Sequence, residues 1–279
     1  MKKEDRNYQE ITTAIRKRII NTIYLAEVGH VGGSLSAVEI LTALYFEVLR
    51  INPDDPKWKE RDIFILSKGH AASALYSVLV ERGLIESEQD LLKTFGRIDS
   101  VFQVHPDGHK IEWVEVATGS LGQGLSIGVG AALGAKLASA PNRAYVLLGD
   151  GECQEGQVWE AAMAAAHYGL DNLVAIVDYN KAQLSGSVED VLKIESLAEK
   201  WRSFGWNVNV VDGHNMEELL AAFRDASGTT GRPTVIIANT LKGKGVSFME
   251  KGGYQWHGRV PNPQEYSQAI AELDGRREI

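Results

Sequence analysis

The chain has 279 residues, with 29 Lys+Arg against 37 Asp+Glu, a formal charge of −8 and 44% hydrophobic content. That length gives ample core for one large domain or two small ones. A negative balance with no Lys/Arg run makes a poor nucleic-acid binder, and no apolar stretch reaches the ~18 residues of a membrane span.

The single cysteine, Cys153, excludes an internal disulfide and any multi-cysteine metal site. The start, Met1-Lys2-Lys3-Glu4-Asp5-Arg6, has mixed charge and no apolar core after it, so no signal peptide is expected. A reducing cytoplasm is the expected setting. Glycine is the outlier: 28 residues beside only 7 prolines, above the usual level of about 7%. Such an excess calls for sharp turns or close backbone approach to a ligand.

Taken in order, residues 11–28 read as an amphipathic helix and residues 36–49 as a second, with Ser36 and Glu39 at capping-box spacing. Residues 63–66 form a short apolar strand, and a helix covers about 70–82. Another helix opens near Ser87, with Asp90 three residues on. Residues 114–118 read as a strand, followed by a helix over 122–138. The continuous apolar runs 144–148 and 173–177 suit buried parallel strands, with a helix over 155–168 between them. Residues 208–211 and 234–238 are two more strands around a helix at 216–226. The alternation predicts an α/β fold: a doubly wound parallel sheet with helices on both faces, residues 1–279 forming one domain. Right-handed crossovers bring all strand C-termini to one edge, where such folds bind ligands.

Gly149-Asp150-Gly151 follows one strand and Asn180 follows the next, so both should reach one crevice. A carboxylate and an amide oxygen are hard ligands for Mg²⁺ or Ca²⁺. Two protein oxygens leave an octahedron open, and phosphates, carbonyls and water usually complete it. The flanking glycines admit a diphosphate to the backbone, and a helix beginning near Glu155 points its N-terminus there. For an isolated Asp-Gly, a turn is the commoner explanation. The 27-residue interval to Tyr179-Asn180 matches the thiamine diphosphate signature, although Tyr179 departs from its usual amide or carboxylate.

Thr118-Gly119-Ser120-Leu121-Gly122-Gln123-Gly124 is read as a phosphate cradle. A nicotinamide loop fits poorly, because Ile127 stands where the third glycine would fall. Among the histidines, His105 and His109 are four apart, but Pro106 and Gly108 argue against a helical zinc pair. His167 is read as structural, and His214 as capping the turn before the next helix.

Together these segments resemble the N-terminal, diphosphate-binding half of transketolase. Gly29-His30-Val31-Gly32-Gly33 is similar to SGHPG, and Asp62 to His70 to DRFVLSxGH. His105-Pro106-Asp107 is similar to HPE, and the Gly119 loop to TGPLGQG. Gly149-Asp150-Gly151 with Glu155-Gly156 is similar to GDGxxxEG, and His257-Gly258 to SHG. Val31 and Ser120 replace prolines of the pattern without removing a ligand.

The resemblance implies thiamine diphosphate as cofactor and Mg²⁺ as metal, with Ca²⁺ or Mn²⁺ able to replace it. Asp150, Asn180 and the Ala182 carbonyl would ligate the metal. His70, Gly151, Asn180, His257 and the Gly119-Ser120-Leu121 turn would hold the cofactor. His30, His105 and His257 would act on the bound sugar. It further implies transfer of a two-carbon glycolaldehyde unit from a ketose phosphate to an aldose phosphate. A pyrimidine-binding domain would have to come from a C-terminal-half partner, because the resemblance covers only the N-terminal half. The expected assembly is a two-plus-two heterotetramer. Another split thiamine diphosphate enzyme, resembling 1-deoxyxylulose-phosphate synthase or acting on an unusual ketose, remains open. So does a non-catalytic homologue.

Overall fold

Five parallel strands organise the described part of the chain. The computed structural model describes residues 6–275, so the mixed-charge start over residues 1–5 lies outside the described residues. In chain order the strands are β1 (Ile63–Leu66), β2 (Ala144–Gly149), β3 (Leu173–Tyr179), β4 (Asn207–Asp212) and β5 (Thr234–Asn239). Their order across the sheet is β1-β2-β3-β5-β4. β2 and β3 pair directly, with Gly149 opposite Asp178, so the two motif-bearing strands are neighbours.

Because successive side chains of a strand point to opposite faces, each strand feeds two cores. Phe64, Tyr145, Leu147, Val174 and Ile176 pack on one face. That core also takes in helices α1 (Tyr8–Ala26), α2 (Val31–Leu35), α3 (Val38–Ala43), α4 (Ala72–Glu81), α5 (Glu88–Thr94) and α10 (Met216–Gly228). Ile65, Val146, Leu148, Ala175 and Val177 pack on the other face. Their core includes α6 (Gln123–Leu137), α7 (Gly156–His167), α8 (Val188–Val191) and α9 (Leu197–Ser203). The doubly wound architecture is therefore as expected.

The helix ends have local causes. Asn7 accepts from the amides of Gln9 and Glu10 to start α1, which stops at Glu27 in the left-handed conformation (φ 54°). Ser87 caps α5 by accepting from Asp90 N, as its spacing predicts.

Four expectations are corrected. Residues 36–49 do not form one capped helix: α2 and α3 flank Ser36, and a π-helical turn covers Leu44–Val48. Ser36 makes no capping box because its hydroxyl donates to Asp178 Oδ2 at 2.6 Å, while Glu39 is engaged by Arg16 and His214. Residues 114–118 are not a strand. They run past the end of β1, with Thr118 N bonded to Pro106 O and Thr118 Oγ1 to Leu66 O. His214 does not cap the turn before the next helix: its ring is taken by Leu241 N and Glu39, while Asn215 caps α10, accepting from Glu217 N and Glu218 N. The helix expected from Glu155 begins at Gly156, after a 3₁₀ turn over Gly151–Gln154.

Candidate active site

The C-terminal ends of β1, β2, β3 and β5 open onto one cleft of about 260 Å³. Its wall includes Lys68 and His70 after β1, Asp150 and Gly151 after β2, Asn180 and Ala182 after β3, and Lys242 after β5. Leu121 and His257 close it. The expected metal residues, together with His70, Leu121, Gly151 and His257, are thus drawn together from segments as distant in sequence as His70 and His257.

Asp178, at the end of β3, sits beneath the cleft and is fully buried. It accepts from Ser36 Oγ, Lys68 Nζ, Thr240 Oγ1 and Asn180 Nδ2. Burial alone would raise its pKa, but Lys68 and these hydrogen bonds outweigh it and hold the carboxylate low. Sequence reading did not single out Asp178, Lys68 or Lys242. The available signal was positional: each lies at or just past a strand C-terminus.

The bond from Asn180 Nδ2 to Asp178 fixes the amide, leaving Oδ1 as its acceptor face. Asp150 is 2% exposed and accepts from Gly151 N at 2.7 Å and from Lys181 N. Burial and the nearby Asp178 raise its pKa. Lys242 Nζ donates to Ala182 O at 2.5 Å and lies 3.1 Å from His257 Nδ1. Burial and Lys68 lower its pKa. One buried carboxylate with an amide and a peptide oxygen fits a hard divalent cation that draws further ligands from a diphosphate. Among the described residues, no cluster of three His, Cys, Asp or Glu side chains forms a self-sufficient metal cage.

Four histidines form the second half of the site. The His30 ring centroid lies 5.6 Å from His70, 5.7 Å from His105 and 5.5 Å from His257, and His70 lies 5.0 Å from His257. Burial, followed by His105, Lys242 and Lys68, holds His30 down to about 4. Burial, then Lys242, holds His257 down to about 3. His70 and His105 are lowered by burial as well. All four are therefore neutral at pH 7. His30 Nδ1 is buried and lacks a partner among the described residues, which fits a polar ligand in the cleft.

Gly119 brings its loop against this cluster. Its φ of +153° disfavours side chains, and a Cβ there would lie 3.3 Å from His105. Ser120 is exposed and falls outside the cleft wall, whereas Leu121 is part of it. Glu152, also missed by sequence reading, ties the Gly122 and Gly149 turns together. It accepts from Gly149 N at 2.9 Å, Gly122 N at 3.0 Å and Ser67 Oγ.

A parallel α/β sheet with oxygen donors and basic groups at its C-terminal edge defines a class: an anion- and cofactor-binding domain. The family profile "Transketolase, thiamine diphosphate binding domain" matches residues 7–273, and the chain belongs to that family. It is 46% identical over 263 residues to one of the named subunits of the apulose-4-phosphate transketolase of Phocaeicola vulgatus, covering 94% of this chain and 92% of that protein. It is 43% identical over 274 residues to the 6-deoxy-6-sulfo-D-fructose transketolase subunit SqwG of a Clostridium species, covering 98% of each. The transketolase structure from Campylobacter jejuni superposes with a TM-score of 0.90 at 32% identity, over 96% of this chain and 42% of that one. The chain thus spans about two-fifths of that solved transketolase.

Proposed function

We propose that this chain is the diphosphate-binding subunit of a two-chain transketolase, residues 1–279 forming one domain that is active with a C-terminal-half partner. The observation carrying this reading is the meeting of Asp150, Asn180 and Ala182 with the neutral histidine cluster at one sheet edge. Relatives matched over 92% and 98% of their own lengths and named as subunits support the partner requirement.

Mg²⁺ would be held by Asp150, Asn180 Oδ1 and the Ala182 carbonyl. Gly151, His70, His257 and the Gly119-Ser120-Leu121 turn would contact the diphosphate. Thiamine diphosphate, when bound, supplies a nucleophilic carbon able to carry a two-carbon unit between sugars. His30, His105 and His257 would orient the sugar: a neutral imidazole both accepts and donates, so it can bind hydroxyls and shift protons between them. The partner would add the glutamate that activates the aminopyrimidine and most of the sugar-phosphate clamp. The two relatives named above act on different ketoses, one phosphorylated and one sulfonated. The donor class inferred here is accordingly an anionic ketose, with the rest of its specificity supplied by the partner. The assembly is a heterotetramer working in the cytoplasm. No helix among the described residues is long and apolar enough to cross a membrane.

Calorimetry tests the cofactor role. The chain, alone and with its partner, is titrated with thiamine diphosphate in the presence of Mg²⁺. Asp150→Ala should abolish cofactor retention while the wild type binds; undiminished binding by the variant would count decisively against the metal assignment.

A further inference from the structure

Lys242 reaches the cleft on a flexible four-carbon stem, yet it is only 4% exposed and meets two groups of the site, Ala182 O and His257 Nδ1. The backbone that carries it is held from outside the cleft. Leu241 N donates to His214 Nε2 at 2.9 Å, and Arg16 Nε donates to Lys244 O at 2.9 Å. These two anchors share one carboxylate. Glu39 Oε2 is 2.9 Å from His214 Nδ1, and Arg16 Nη2 is 2.6 and 2.8 Å from the two Glu39 oxygens. A backbone N–H only donates, so His214 Nε2 is the acceptor and the imidazole proton sits on Nδ1, facing Glu39.

We infer that His214 is a positioning residue: through Leu241 N–H, and braced by Glu39 and Arg16, it fixes the backbone that aims Lys242 into the cleft. Helices α1 and α3 and the end of β4 thereby converge on the four-residue stretch 241–244. None of these three side chains touches the cleft, so their effect on it passes through Lys242. The inference rests on the proposed cofactor site for its functional consequence, but not for its geometry.

Two measurements test it. The first is competitive acetylation of the chain, read by mass spectrometry, with no cofactor present. His214→Leu should raise Lys242 acetylation at least about tenfold, while Lys68, buried against Asp178, stays protected. His214→Gln should stay near wild type, because its amide can accept from Leu241 and donate to Glu39. Where Lys68 also becomes reactive in the Leu variant, His214→Ala replaces it. Unchanged Lys242 reactivity overturns the inference.

The second is a double-mutant cycle with Lys242→Met, read as affinity for magnesium and thiamine diphosphate. His214→Leu should weaken binding in the wild-type background and add nothing in the Lys242→Met background. Equal losses in both backgrounds would make His214 merely structural and overturn the inference. Absence of binding by the wild type would instead count against the cofactor reading, leaving the acetylation result to decide the role of His214.

Discussion

Asp178 and Lys68, the latter in the cleft wall, form a buried ion pair with side-chain exposures of 0% and 1%. Removing one partner strands the other charge in a dry site, which typically costs about 3–5 kcal/mol. Lys68→Met should therefore lower unfolding stability by that amount, measured by denaturant titration; a loss below about 1 kcal/mol would show that water reaches Asp178. The histidines give a second expectation. His30 and His257 hold pKa values of about 4 and 3 against an ordinary 6.5. The unfolded chain therefore binds more protons as pH falls below 6.5, so stability is lost from there down through pH 4. Thermal midpoints of the wild type should drop between about pH 7 and pH 4.5, and His30→Asn/His257→Asn should flatten that slope. Parallel slopes for both proteins would contradict the partly buried, neutral state of His30 and His257. Asp150, Asn180 and four of the histidines could be read from sequence because they stand in compact motifs. Asp178, Glu152 and His214 could not, because their partners lie in distant segments and only the fold joins them.

At the scale of elements, α6 shows why glycine counts alone were ambiguous. A Cβ on Gly128 would lie 2.4 Å from Val146 Cγ2, and one on Gly124 would lie 2.3 Å from Ser67 Oγ. Gly130 and Gly134, in the same helix, have open space beside them. Gly128→Ala should overpack the helix–sheet contact and destabilise the chain by about 1–3 kcal/mol. Gly130→Ala should instead stabilise it by about 0.4–1 kcal/mol, because alanine favours the helix and restricts the unfolded chain. Chemical denaturation of the two variants separates them, and a shared sign would contradict the packing described. Periodicity located the long helices and the strands well, since their burial is set by their own side chains. It failed over residues 36–49 and 114–118, where tertiary hydrogen bonds from Ser36 and Thr118 override the local pattern.

At the scale of the molecule, the sheet order β1-β2-β3-β5-β4 explains the site. Moving outward through β1 to β3 and returning through β5 places four strand ends around one cleft. It also sets the histidine cluster beside that edge, where, on the proposed function, a second polypeptide would complete the site. The dependence of the fold on a parallel sheet was legible from the apolar runs and their spacing. The proposed partner follows only from the family resemblance and from relatives named as subunits, because nothing in composition or charge encodes it. The most direct test is ketose-to-aldose transfer of the two-carbon unit by the purified chain with Mg²⁺ and thiamine diphosphate, with and without the C-terminal-half partner. Turnover only when both chains are present is the expected result; full turnover by this chain alone would contradict a divided active site.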